Sequence, residues 1–243
     1  MSLNIKKTNF IIFRTKTRKI ISLPRVEIDE HELRVIKVNV TKFLGVLIND
    51  TLTWSEHISL VKQKIAKNTG IICRLRCRVP RQVLLSLYNA LIQPYLEYCN
   101  IIWATEKTTT LNRLYINQKK AVRVITGSAW RAHCQPLFKK LRILPLYDIN
   151  KLHISCFVYQ CINNQLPLRF CQMFRSNESV HNYNTRRKDT LHVESQKLCV
   201  RANTVRFVGV KLWNSISSFA ELQAVSNVYS FKHAYKRWLL HNL

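Results

Sequence analysis

The sequence predicts an α+β chain, with short antiparallel strands first and a mostly helical remainder after them. Within the first fifty positions the apolar residues come in short runs rich in Val, Ile and Phe, separated by polar turns. After Asp50 the apolar period changes to that of a helix. A hydrophobic content of 47% over 243 residues is ample for a buried core, and with only 4 Gly and 6 Pro the chain is neither low-complexity nor collagenous.

In order, NFIIFR, PRVEID, ELRVIKV and KFLGVLIND read as strands. IDEHEL, between the second and third, reads as a hairpin turn. It carries Glu27, Asp29, Glu30 and Glu32, the one acidic cluster of the sequence. Strand alternation would split Glu27 and Asp29 from Glu30 and Glu32, so a solvated turn is expected there over a metal site. Thr53-Trp54-Ser55-Glu56 has the form of a capping box ahead of a stripe of Ile58, Val61 and Ile65, with Gly70 as the expected stop.

Pro80 suits a second helix start, and Val83, Leu84, Leu87, Leu91, Tyr95 and Tyr98 form a broad apolar face that Pro94 should kink or break. A third helix over 107–126 places Leu111, Leu114, Tyr115, Gln118, Val122 and Ile125 on one side, with Arg113, Asn117 and Lys120 opposite, and ends at Gly127. LRILPLYDINKLHISCFVYQCINNQLP reads as a further buried helix. RSNESVHNYNTRRKD lacks an apolar period and reads as a polar linker. The chain then ends in an amphipathic helix, VYSFKHAYKRWLLHNL. Three regions result: 1–52, 53–175 and a basic 176–243.

Charge is the outlying property. Lys and Arg number 39 against 13 Asp and Glu, a net of +26, where a small domain is comfortable at a magnitude of about 2–8. Such a chain calls for a polyanion, with nucleic acid the commonest partner. No acidic residue lies between Glu56 and Glu97, a gap that holds Lys62, Lys64, Lys67, Arg74, Arg76, Arg78 and Arg81. A second gap, Glu106 to Asp148, holds Lys107, Arg113, Lys119, Lys120, Arg123, Arg131, Lys139, Lys140 and Arg142. Helix spacing sets Lys64 and Lys67 away from the Ile58–Val61–Ile65 stripe. With so few acids interspersed, these cations suit phosphates better than a merely solvated face. Such contacts position a strand without reading its sequence.

Trp54, Tyr88, Tyr95 and Trp103 are of a type that stacks on bases, but they fall on or beside the apolar stripes, where core packing is the expectation. The apolar segments are broken well short of the ~20 residues a spanning helix needs, and the N-terminal run is too short for a signal peptide. A nuclear or cytoplasmic chain is expected, neither secreted nor transmembrane, with its 8 Cys as thiols. There is no C-x-x-C pair. Cys73 and Cys77 lie one turn apart and His133 and Cys134 are adjacent, and neither spacing makes a metal site. Phe231, Tyr235, Trp238 and Leu239 would suit an interfacial helix on a bilayer; the spread of basic residues over the whole chain argues against it.

Five stretches, taken in order, resemble one family. SLNIKKTNFIIF, KFLGVLINDTLTW, LYNALIQPYLEYCNIIWA, NQKKAVRVITG and the pair HNYNTRRKDTL and KLWNSISSF resemble the C-terminal part of jockey-like non-LTR retrotransposon reverse transcriptases. The resemblance runs from about residue 2 to 240. It implies that Asn4, Lys7 and Thr8 belong to the end of a polymerase palm, with Lys7 near the triphosphate of an incoming nucleotide. Phe43, Leu44, Gly45, Val46 and Ile48 would then open a primer-grip strand pair, and a thumb with a basic helix would follow. Region 1–52 would be palm end and primer grip, 53–175 thumb, and 176–243 a basic C-terminal segment.

The resemblance also implies RNA, DNA or an RNA–DNA hybrid as partner. Asn4, Lys7, Phe43, Leu44 and Gly45 would lie at nucleotide and primer. Lys64, Lys67, Arg74, Arg76, Arg78, Arg113, Lys119, Lys120 and Arg123 are the candidates for the backbone. The family holds two Mg²⁺ on clustered aspartates. This sequence has no Asp-Asp pair, and its first carboxylate is Glu27. The expectation is therefore a fragment that begins inside a palm, with no catalytic residue, no metal site and no cofactor of its own, and inactive alone as a polymerase. The alternatives are a basic nucleic-acid-binding module retained from the thumb, and an inert relic with an unpaired β edge.

Overall fold

The computed structural model describes residues 9–15, 27–28, 31–32, 36–105, 108–180, 188, 190–195, 204–216, 225 and 227–243. Asn4, Lys7, Lys107 and most of HNYNTRRKD lie outside them, as does much of PRVEID and ELRVIKV. The described residues are mostly helical with small two-stranded sheets, compatible with α+β. Two compact units divide the chain, Met1–Leu60 and Val61–Leu243.

In the first unit, β1 (Asn9–Phe10) pairs in parallel with β4 (Ile36–Lys37), and β2 (Glu27–Ile28) pairs antiparallel with β3 (His31–Glu32), as a turn at IDEHEL requires. β5 (Val40–Phe43) and β6 (Val46–Asn49) form an antiparallel hairpin in the register Val40↔Asn49 to Phe43↔Val46. KFLGVLIND is thus two strands and a turn, where the sequence read as one strand. Leu44 and Gly45 are the turn's central pair with φ of 44° and 84°, the doubly positive geometry that matches the twist of a two-residue hairpin. Glycine adopts it freely; Leu44 does so against its Cβ.

Behind the hairpin, Arg14 Nε donates to Asp50 Oδ2 at 2.7 Å, and the Arg14 N–H donates to the Asp50 carbonyl at 2.8 Å. Asn49 is buried and organises the start of α1 (Ser55–Leu75). Its Oδ1 accepts from the Thr53 N–H at 2.7 Å, and its Nδ2 donates to Thr53 Oγ1 at 2.5 Å and Glu56 Oε2 at 3.0 Å. The two ends of the expected capping box therefore meet through Asn49. Gly70 does not stop α1, which runs on to Leu75. A glycine inside a helix costs only about 1 kcal/mol against Ala, and the burial of Ile65 and Ile72 on either side of it carries the helix through.

Helix α1 continues into the second unit, where Val61, Ile65 and Ile72 are buried. α2 (Arg81–Leu91) starts after Pro80, and α3 (Gln93–Glu97) follows across the break expected at Pro94. The inward stripe is Leu84, Tyr88, Ile92 and Leu96, whereas Val83 and Tyr98 of the expected face are exposed. A four-residue step selects these side chains and leaves the neighbouring column outside. α4 (Asn100–Trp103) leads to α5 (Thr108–Thr126), which Gly127 ends at φ 66°. Asn117, expected on the polar side of α5, is buried, and its Nδ2 donates to the Lys62 carbonyl at 3.2 Å.

α6 (Gln135–Leu141) precedes α7 (Leu146–Ile162), which is buried on several sides. The short α8 (Leu168–Cys171) and α9 (Asn177–Val180) follow. The ends of the expected linker are paired: the Asn177 N–H donates to the Thr190 carbonyl at 2.9 Å and the His192 N–H to the Arg175 carbonyl at 2.7 Å. α10 (Val205–Ile216) and α11 (Val228–His241) both pack on α7. The apolar face of α11 is therefore spent inside the protein. Phe231, Tyr235 and Leu239 are buried, and Phe231 stacks on Tyr159 of α7 at 4.7 Å between centroids. That removes the surface the bilayer reading needed.

One side chain joins three of these helices. Gln118 of α5 is fully buried. Its Nε2 donates to Tyr88 Oη at 3.0 Å and the Leu144 carbonyl at 2.9 Å, while its Oε1 accepts from the Leu146 N–H at 2.8 Å. Gln118→Leu should cost about 3 kcal/mol, because it leaves a carbonyl and an N–H buried without partners, read as a lower urea midpoint at unchanged slope.

Two glycine substitutions should have opposite signs. A Cβ on Gly209 of α10 would stand 2.9 Å from Val158 Cγ2 and 3.2 Å from Phe174. Gly209→Ala should destabilise by about 1 kcal/mol after its gain in helix propensity. Gly70→Ala, with nothing near, should stabilise by about 0.5–1 kcal/mol. Paired thermal melts check both.

Candidate nucleic-acid interface

Because α1 and α5 bury opposite columns, their outer columns are fixed as well. On α1 the positions Lys64, Lys67, Ile71 and Arg74 step by three, four and three residues and share one exposed face. On α5 the positions Arg113, Ile116, Lys120 and Arg123 repeat that step, with Arg123 half-buried. Ten residues of helix set the first and last cation of each face about 15 Å apart. Arg76 and Arg78 follow in the exposed turn after α1.

Not every cation is equally available. Lys64 Nζ lies over the Tyr95 ring at 5.0 Å from its centroid, and Lys119 over Tyr115 at 4.5 Å. Arg123 Nε donates to the Ala132 carbonyl at 3.0 Å, which leaves the outer edge of its guanidinium for a ligand. Among the described residues the ion pairs are Arg14–Asp50, Lys151–Asp148 and Arg206–Glu194. Lys67, Arg74, Arg76, Arg78, Arg113 and Lys120 are exposed and pair with no carboxylate among the described residues.

Phe43, Leu44 and Gly45 occupy the tip of the β5–β6 hairpin, with Phe43 and Leu44 well exposed. That tip lies in the first unit and the cationic helix faces in the second. Of the four stacking candidates, Tyr88 and Trp103 are completely buried, as core packing requires. An aromatic that sequence reasoning passed over is Trp130, 71% exposed in the loop after α5. Its signal was its place in GSAWRAH, beside Arg131 and outside any apolar stripe.

Among the described residues no group of three or more His, Cys, Asp or Glu side chains could hold a metal ion. Asp50 is bound to Arg14. The described residues do not bring carboxylates together as a paired Mg²⁺ site requires. Nor do the interior groups suggest a nucleophile. Burial pushes the Cys156 and Cys161 thiols up to about 11, and burial lowers the pKa of His153, keeping it neutral. No described helix is long and apolar enough to cross a membrane.

Among the described residues, α1 and α5 each carry an outward cationic column without a carboxylate partner. The chain is 29% identical over 156 residues, 62% of its length, to a probable RNA-directed DNA polymerase from transposon X-element of Drosophila melanogaster. It is 25% identical over 155 residues, 60% of its length, to the RNA-directed DNA polymerase from mobile element jockey of the same organism. Its homologues are thus Drosophila non-LTR retrotransposon RNA-directed DNA polymerases. Each match spans 16% of the relative's own length. No family model matches the chain, and no solved structure does.

Replacing Lys67 and Arg74 together by Ala should flatten the log–log salt dependence of duplex DNA binding by about 2, one contact per cation. Lys151→Ala, which removes a cation already paired with Asp148, should leave that slope unchanged. Fluorescence anisotropy titrations across salt check both.

Proposed function

We propose that this chain is a backbone-gripping part of a retrotransposon RNA-directed DNA polymerase, and that α1 and α5 hold the phosphates of RNA, DNA or an RNA–DNA hybrid. The observation that carries the reading is the pair of cationic helix faces, Lys64–Lys67–Arg74 and Arg113–Lys120–Arg123, in stretches without a carboxylate. The similarity to two retrotransposon RNA-directed DNA polymerases supports a polymerase parent that acts on nucleic acid. On this reading the β5–β6 hairpin is the primer grip, α1 to α8 form the thumb, and the protein works in the nucleus or cytoplasm. The family resemblance implies Mg²⁺ held by clustered carboxylates in the parent polymerase, and this sequence has no Asp-Asp pair.

The purified chain should bind a labelled RNA–DNA primer-template with a log–log salt slope near −5 if about six cations meet phosphates, a loss of roughly a thousandfold between 50 and 200 mM salt. It should incorporate no nucleotide with Mg²⁺. Absent or salt-insensitive binding would favour the inert relic, and Mg²⁺-dependent synthesis would overturn the assignment of a non-catalytic part.

A further inference from the structure

Trp130 stands in water in a loop that is otherwise fastened down. The Ala132 N–H donates to the Ala129 carbonyl at 2.9 Å, which makes Trp130 and Arg131 the two central residues of a closed turn. Arg123 Nε holds that turn to α5 through the Ala132 carbonyl at 3.0 Å. At the helix end, the Ser128 N–H donates to the Arg123 carbonyl at 3.1 Å, and Thr126 Oγ1 and Ser128 Oγ lie 2.8 Å apart. An indole left 71% exposed on a turn with this many restraints forgoes its burial while keeping a fixed place. Fixed aromatic surface is what a binding partner can use at low entropic cost.

The surroundings name the partner. Arg131 is exposed beside the indole, and the Arg113–Lys120–Arg123 face of α5 runs along the helix into this turn. No carboxylate occurs between Glu106 and Asp148. We infer that the Trp130 turn is a base-stacking platform for single-stranded nucleic acid, with the α5 face holding the phosphates that lead to it. The inference rests on the phosphate-gripping role proposed for α5 and adds the nucleic-acid form to it. An unpaired base offers its π-face to the indole, whereas a duplex keeps its bases stacked on one another. Cations along the helix then register the backbone, and Arg131 lies within reach of the next phosphate.

The test compares the full chain with Trp130→Ala, Trp130→Phe and Arg131→Ala, using a labelled 12-mer of oligo(dU) and a labelled 20-bp duplex across salt. Trp130→Ala should weaken oligo(dU) binding about tenfold or more, with its salt slope and its duplex affinity unchanged. Trp130→Phe should recover most of the loss, and quenching of intrinsic fluorescence on oligo(dU) addition should fall in both variants. Arg131→Ala should flatten the oligo(dU) slope by about 1. Equal affinity of Trp130→Ala and the parent for oligo(dU), or an equal loss on both ligands, overturns the platform while leaving the grip of α5 intact. A parent chain that binds neither ligand at 50 mM salt overturns both.

Discussion

Gln118 is the interaction on which the helical unit depends. A primary amide offers two donors and two acceptor lone pairs in one plane. Here it meets the Tyr88 hydroxyl, the Leu144 carbonyl and the Leu146 N–H, and so ties α2, α5 and the start of α7 at one fully buried point. Each of those groups would be costly to bury alone. Burial raises the pKa of Tyr88 far above its usual range, which keeps the hydroxyl protonated opposite the amide. Apolar contact alone would let α5 turn about its axis by part of a residue step. The amide fixes that rotation, and with it the column that faces water.

The outer column follows from the inner one. Once Leu111, Leu114, Gln118, Val122 and Ile125 face inward, Arg113, Lys120 and Arg123 share the outer side. α1 repeats the logic with Ile58, Val61, Ile65 and Ile72 inside and Lys64, Lys67 and Arg74 outside. Self-repulsion of a +26 chain opposes the compact state. The structure tolerates it by keeping cations on outer columns, where water screens them, and a bound polyanion would relieve it.

The C-terminal helices close the core from the other side. Tyr159, Phe231, Tyr235 and Trp238 succeed one another at 4.7, 5.9 and 5.7 Å between ring centroids, linking α7 to α11. On α10, Gly209 lets the helix approach Val158 and Ile154 of α7, and Asn214 clamps Leu191 through two bonds, accepting from its N–H at 2.9 Å and donating to its carbonyl at 2.8 Å. Leu191 and Asn214 stand in two separate stretches on which the family resemblance rests, HNYNTRRKDTL and KLWNSISSF, and they meet in this clamp.

By itself the sequence determined the α+β class, the helix start at Pro80, the break at Pro94, the stop at Gly127 and the kinship with retrotransposon polymerases. Those features are local: proline and glycine act through their own dihedrals, and periodicity acts through neighbours on one helix. The tertiary structure decided what depends on distant partners. It turned Leu44–Gly45 into a hairpin because β5 and β6 pair, and carried α1 past Gly70. It buried Asn117 against the Lys62 carbonyl and consumed the apolar face of α11 on α7. It also separated the aromatics, burying Tyr88 and Trp103 and exposing Trp130. Side-chain type gives an indole or an amide the same symbol inside or out, and only the packing around it sets which role it takes.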